Sequence, residues 1–172
     1  MHKAYVGVGS NISPEKNIDD ALMKLTHHVT VTGVSTFYRT KPLKRRDQND
    51  YLNGVWRIQM SLSPEELKYA ILNAVERELH RRRTGDKYAS RTIDLDLLLY
   101  DDLVASEGTV ILPDPDIYLR PFIAHPLFEL EPELILPDTR TPISVLAETM
   151  PMDGLTPDTN FTVLLRRRIE NE

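Results

Sequence analysis

The spacing of apolar positions along the chain changes several times, and each change marks an element. Residues Ala4 to Val8 alternate and are rich in β-formers, which predicts a strand. Ser13-Pro14-Glu15 reads as a helix start, with a hydroxyl cap, a proline in the first turn and an acid near the positive end of the helix dipole. This helix is predicted to reach about His27 and to face the core with Ile18, Ala21, Leu22 and Leu25. Val29 to Tyr38 reads as one strand, Thr40 to Asp50 as a charged loop and Tyr51 to Leu62 as a further strand. Ser63 and Glu66 have the spacing of a capping box, and Leu67, Ile71, Ala74, Val75 and Leu79 follow at helical spacing. Charge breaks the pattern from His80 to Arg91, and Ile93 to Tyr100 is again strand-like. Proline-punctuated turns follow Val110-Ile111-Leu112, then a helical turn within Pro121 to Leu130 and a short helix from Ile143 to Thr149. From Pro151 the pattern weakens into an added strand or a loose tail. The order up to Tyr100 is that of a ferredoxin-like βαββαβ sandwich, so the expected fold is α+β with C-terminal additions. No repeat or linker divides the chain, which predicts one domain over 1–172.

Composition narrows the function classes. The net charge of -5 argues against a general nucleic-acid binder, whose affinity depends on neutralising phosphates. With no cysteine, disulfides, thiolate metal sites and cysteine nucleophiles are excluded. The apolar stretch near the N-terminus is too short for a signal-peptide core, and no run approaches the ~20 residues of a membrane span. The expectation is a cytoplasmic, monomeric enzyme without membrane or nucleic-acid partners.

The chemistry concentrates in Arg91-Thr92-Ile93-Asp94-Leu95-Asp96-Leu97-Leu98-Leu99-Tyr100. Strand periodicity puts Asp94 and Asp96 on one face, roughly 6–7 Å apart, and Ile93, Leu95, Leu97 and Leu99 on the other. Two carboxylates side by side need positive charge, and magnesium suits one or two carboxylates plus phosphate oxygens. An isolated Asp-x-Asp is more often a salt-bridged pair. Here, however, Arg81, Arg82, Arg83, Lys87 and Arg91 lie just upstream, opposed by Asp86 alone. Carboxylates for metal beside arginines for phosphate oxygens make a site for a metal–triphosphate. Gly7-Val8-Gly9-Ser10-Asn11 lacks the Lys-Ser/Thr ending of a P-loop and reads as a tight strand-to-helix turn.

The segment 91–100 resembles the signature of the 6-hydroxymethyl-7,8-dihydropterin pyrophosphokinases, enzymes of folate biosynthesis. Collinear segments extend the resemblance over roughly residues 3 to 138: Gly7 to Asn11, Ser35 to Leu43, Asp47 to Asn53, Leu62 to Leu67, Arg120 to Phe122 and Pro126 to Leu130. It implies the ferredoxin-like fold and a transfer of pyrophosphate from ATP, the co-substrate, to a pterin alcohol. It further implies that Tyr51 and Phe122 sandwich the pterin, that Asn53 reads its edge, and that Thr40 and Leu43 offer backbone hydrogen bonds. Asp94 and Asp96 would hold two Mg2+ ions. Arg81 and Arg91 would act on the transferred group. Arg83, Lys87, Tyr88, Leu97, Arg120 and Glu76 would bind ATP, and the loop from His80 to Ser90 would close as a lid.

Three positions depart from that family's pattern. Pro113-Asp114-Pro115 stands where a Pro-His-Pro or Pro-His-aromatic is common, His80 stands at a usual glycine, and Tyr88 at a tryptophan of some members. Asp114 keeps open a catalytically weakened homologue that binds pterin or nucleotide. A ferredoxin-like RNA-binding module is the other alternative, and an Asp-x-Asp sugar-nucleotide transferase a third.

Overall fold

The computed structural model describes residues 1–170. It is a mixed helix-and-sheet fold around an antiparallel six-stranded sheet. β1 (His2–Ser10) runs through the middle, between β5 (Asp94–Tyr100) and β4 (Tyr51–Met60). β2 (Thr30–Val34) and β3 (Tyr38–Thr40) share the far edge of β4 end to end, and the two-residue β6 (Thr156–Pro157) adds to β3. One face is covered by α1 (Pro14–Thr26), by a π-helical stretch Glu66–Leu72 that runs into α2 (Asn73–Glu78), and by α5 (Thr159–Glu170). α3 (Pro121–Leu130) and α4 (Ile143–Thr149) cover part of the other. Among the described residues no helix is long and apolar enough to cross a membrane.

Several local predictions hold for the reason given. Ile18, Ala21, Leu22 and Leu25 are fully buried. The capping box closes reciprocally, Ser63 N–H donating to Glu66 Oε2 at 2.8 Å and Glu66 N–H to Ser63 Oγ at 3.2 Å. Ser13, by contrast, does not cap α1 through its hydroxyl. It takes a left-handed conformation (φ 40°), and its carbonyl accepts from Asn17 N–H.

Three differences follow from tertiary packing. The expected strand Val29 to Tyr38 is broken into β2 and β3. At the break, Ser35 Oγ accepts from Val55 N–H at 2.8 Å in place of a ladder partner. Phe37 then turns into the core at Gly54, where there is no side chain; a Cβ on Gly54 would lie 2.6 Å from the ring. Secondly, a bulge opposite Tyr5 and Val6 inserts Leu98 into β5. Leu99 therefore joins Tyr5 and Val55 on the second face, whereas Leu95 and Leu97 stay on the first. Thirdly, the π-helical turn carries the buried stripe from Leu67 to Leu72 rather than to Ile71. A regular α-helix would bring residue 71 round instead. The stripe then passes through Val75 and Glu76. Beyond Pro151, the tail forms β6 and α5; residues 171–172 lie outside the described residues.

Gly54→Ala is expected to cost about 1–3 kcal/mol through overpacking against Phe37. A lower midpoint of urea denaturation with an unchanged slope would register it.

Candidate active site

The second face of the sheet is only half covered. Tyr5, Val55, Leu98 and Leu99 pack beneath α3 and α4, and the rest of the face opens into a cleft of about 650 Å³. Glycine makes the opening. β1 pairs Gly9 with Asn53 on one side and with Asp94 on the other, while Gly7 faces Val55 and Asp96. Two transverse rows result, Asp94–Gly9–Asn53 and Asp96–Gly7–Val55. Strands 4.7–4.9 Å apart put Asp94 and Asn53 about 10 Å from each other across the glycine floor. A Cβ on Gly9 would come within 2.6 Å of Asn53 Oδ1, so a larger residue there would push the amide aside.

The acidic end is held by arginines. Asp94 Oδ1 accepts from Arg81 and Oδ2 from Arg91, each at 2.5 Å. Glu76 lies behind them, 2% exposed, with Arg81 and Arg83 on its carboxylate and Leu95 N–H donating to Oε1 at 2.9 Å. The π-helical turn that brings Glu76 inward thus decides where Arg81 rests. The helix end helps as well. Arg81 N–H bonds to Glu76 C=O and His80 N–H to Arg77 C=O, a Schellman closure with His80 left-handed at φ 61°. That conformation favours glycine, which is why a glycine suits this position.

Asp96 makes no hydrogen bond or ion pair among the described residues. It is exposed to the cleft, yet the walls strip away much of its water. Desolvation, then the charges of Asp94, Asp114 and Glu76, push its pKa up to about 8 against the pull of Arg81. An unpartnered carboxylate facing other carboxylates fits a divalent cation. Two carboxylates with open cleft beside them suit magnesium, which takes its remaining ligands from water and phosphate. No cluster of three or more His, Cys, Asp or Glu side chains forms a closed metal cage among the described residues. Burial works against the charge of Arg91, but Asp94 outweighs it and holds the guanidinium above its ordinary value. Asp114 is also raised, first by desolvation. It caps the 3-10 turn Pro115–Tyr118, its Oδ1 accepting from Asp116 N–H at 2.8 Å.

At the other end, Asn53 Nδ2 donates to Thr40 Oγ1 at 2.8 Å, and both residues are buried. Tyr51 and Phe122 are half-buried at the cleft wall, and burial raises the Tyr51 hydroxyl pKa. Leu43 also lines the cleft but is mostly exposed. Two loops, 41–50 and 80–91, meet over the opening. Arg45 pairs with Asp86, Gln48 Nε2 donates to Tyr88 C=O at 2.9 Å, and Lys44 and Lys87 flank the Tyr88 ring.

Of the residues expected at a site, Thr40, Leu43, Tyr51, Asn53, Arg81, Arg83, Lys87, Tyr88, Arg91, Asp94, Asp96, Arg120 and Phe122 all line this one cleft. Glu76 lies beneath its wall, and the Leu97 side chain points into the core on the other face. Sequence reasoning passed over Asn11, which ties the site together. Asn11 is 1% exposed. Its Oδ1 accepts from Arg91 N–H at 2.8 Å, and its Nδ2 reaches Gln48, Asn49 and Ser90. A polar residue directly after a strand, in a glycine-rich turn, was the available signal.

Because the folded pKa of Asp96 lies above the ordinary value near ~3.9, the folded state binds that proton more tightly. The resulting stability cost grows as pH rises from about 4 to about 8 and is constant above. Asp96→Asn should therefore raise the Tm of the ligand-free protein by about 2–4 °C at alkaline pH, with the gain shrinking towards pH 5 in a melting series. His80→Gly should add about 1 kcal/mol by relieving the left-handed backbone, seen as a higher urea midpoint.

Comparison with known proteins identifies a family. Residues 5–132 match the family model for 7,8-dihydro-6-hydroxymethylpterin-pyrophosphokinase (HPPK). The chain is 37% identical over 146 residues to the 2-amino-4-hydroxy-6-hydroxymethyldihydropteridine pyrophosphokinase of Haemophilus influenzae, covering 81% of this chain and 88% of that protein. It is 35% identical over 158 residues to the enzyme of the same name from Aquifex aeolicus, covering 91% and 96%. Among solved structures, an HPPK-DHPS in complex with substrates superposes with a TM-score of 0.66 at 11% identity, covering 86% of this chain and 43% of that one, a likeness of fold. With a family model spanning most of its length and relatives this similar along nearly their whole length, the chain belongs to the HPPK family.

Proposed function

We propose that this chain transfers the pyrophosphoryl group of ATP to the hydroxymethyl group of 6-hydroxymethyl-7,8-dihydropterin, giving AMP and the pterin diphosphate, in folate biosynthesis. The observation that carries the reading is the row Asp94–Gly9–Asn53, with an arginine-bound carboxylate at one end and a buried amide at the other. About 10 Å separates them, the scale of a bicyclic ring plus the group it accepts.

In this reading the pterin lies between Tyr51 and Phe122, where stacking adds about 1 kcal/mol per ring beyond burial. With Nδ2 committed to Thr40, Asn53 presents Oδ1 to ring N–H donors, and the backbone at Thr40 and Leu43 completes the edge. The polyphosphate lies along the basic wall of Arg83, Lys87 and Arg120, with Tyr88 and the Leu97 backbone on the nucleoside side. Asp94 and Asp96 hold two magnesium ions; when bound, these supply charge neutralisation on the phosphate oxygens and acidity to the attacking alcohol. The pterin oxygen attacks the β-phosphorus, the bond from that phosphorus to the αβ-bridging oxygen breaks, and AMP leaves. Arg81 and Arg91 stand beside Asp94, where charge develops on the transferred group, so catalysis is positioning plus electrostatic stabilisation. Glu76 serves from beneath by holding Arg81 and Arg83. The meeting of loops 41–50 and 80–91 supports a lid that excludes water.

The strand order β5-β1-β4-β2, with α1 and α2 on one face, supports a ferredoxin-like sandwich to which β3, β6 and the later helices are added. An RNA-binding module of that fold needs an open sheet face for stacking bases. Here that face carries α3, α4 and paired carboxylates. The net charge of -5 weighs the same way, and we take the protein to act as a cytoplasmic monomer on small molecules, without nucleic acid or membrane. Asp114, turned into its own 3-10 cap, is compatible with bound nucleotide.

The test is AMP release from Mg-ATP in the presence and absence of the pterin. Wild type should give pterin-dependent AMP. Asp96→Ala should abolish it, and Arg91→Ala should lower kcat by about 10²–10³-fold. AMP release that ignores the pterin, or persists in Asp96→Ala, would overturn the assignment.

A further inference from the structure

The amide of Asn53 can read a ligand only if its rotation is fixed, and the group that fixes it sits on a precarious element. Asn53 Nδ2 donates to Thr40 Oγ1, and Thr40 ends β3, a strand of three residues. On its inner side β3 pairs with β4, Tyr38 opposite Asn53 and Thr40 opposite Tyr51. So short a ladder holds its place weakly by itself.

The C-terminal segment, which lies beyond the residues matched by the family model, holds the outer side. Thr156 and Pro157 pair with Arg39 and Tyr38. Both backbone groups of Phe37 are taken up there: its N–H donates to Thr162 Oγ1 at 2.9 Å, and its C=O accepts from Asp158 N–H at 2.8 Å. The Thr162 hydroxyl in turn donates to Asp158 C=O at 2.9 Å. Asp158 also accepts from Arg39 at 2.7 Å, and its Oδ1 accepts from Phe161 N–H in the first turn of α5. The Phe161 ring meets Phe37 edge-on, centroids 5.8 Å apart. Phe37 is wedged against Gly54, the residue after Asn53. Thr162, Phe161 and Phe37 are all buried.

We propose that residues 156–162 are positioning residues for the acceptor end of the cleft, with Thr162 as the key contact: they fix β3, and through Thr40 the orientation of the Asn53 amide. The inference rests on the pterin reading given above. Losing the Thr162 hydroxyl leaves Phe37 N–H buried without a partner. β3 relieves this by shifting, and Thr40 moves with it. The consequence falls on one substrate, because Arg81, Arg91, Asp94 and Asp96 are anchored elsewhere, on α2, Asn11 and β5.

The experiment is steady-state kinetics of Thr162→Val, which keeps the side-chain shape, beside Thr162→Ser, which keeps the hydroxyl. Thr162→Val should raise KM for the pterin about tenfold, the equivalent of one lost hydrogen bond. kcat and KM for ATP should stay within about twofold, and Thr162→Ser should restore the pterin KM. Phe161→Leu serves as a second probe with the same expected split if Thr162→Val does not fold. A fall in Tm with an unchanged pterin KM, or an equal rise in both KM values, would overturn the proposal and leave the function standing. A wild type without pterin-dependent AMP release would instead overturn the function, and this inference with it.

Discussion

The structure turns on compensating negative charge gathered at one end of a strand. Arg81, Arg83 and Arg91 hold the carboxylates of Glu76 and Asp94, and the charges of these two acids and of Asp114 bear on the neighbouring Asp96. The pairing is also architectural. Glu76 belongs to the α2 helix, it binds the backbone of β5 through Leu95 N–H, and it grips two arginines of the following loop. Helix, strand and loop are locked by one carboxylate. Asp96 is the member left uncompensated, and desolvation and its acidic neighbours raise its pKa.

The two faces of the sheet divide the work. On one, the aliphatic rows of β1, β4 and β5 meet α1, α2 and α5 and form the larger core. On the other, the Leu98 bulge gathers apolar residues at one end beneath α3, and Gly7 and Gly9 keep the other end empty. The same strands thus bury one half of a face and expose the other.

How far the sequence discloses this can be judged residue by residue. The buried face of α1, the capping box at Ser63 and Glu66 and the carboxylate strand are local patterns, and local patterns are legible. The carboxylate and arginine end of the cleft was legible from its own chemistry, whereas Thr40, Leu43, Tyr51, Asn53, Tyr88, Arg120 and Phe122 were legible only through the resemblance to a known family. What was not legible depends on partners distant in sequence. Nothing near Ser35 announces that its hydroxyl will replace a ladder bond to Val55, and nothing in α5 announces Phe37. Asn11 looks like a turn residue until two loops, through residues 48–49 and 90–91, are seen to meet on its amide. Leu99 obeys alternation in the sequence and departs from it in the sheet, because a bulge leaves no mark in a run of leucines.

The π-helical turn has a bearing on how homologous positions are matched. A wide turn takes up one residue more than an α-helical turn while advancing the chain by nearly the same distance. A homologous helix wound as plain α would therefore reach the Arg81-binding position with one residue fewer after the capping box. Counting from Ser63 would then pair Glu76 with the residue one beyond the position that shares its place in space. Against such a helix, a single-residue gap placed between Leu67 and Leu72 would restore the frame on both sides of the wide turn.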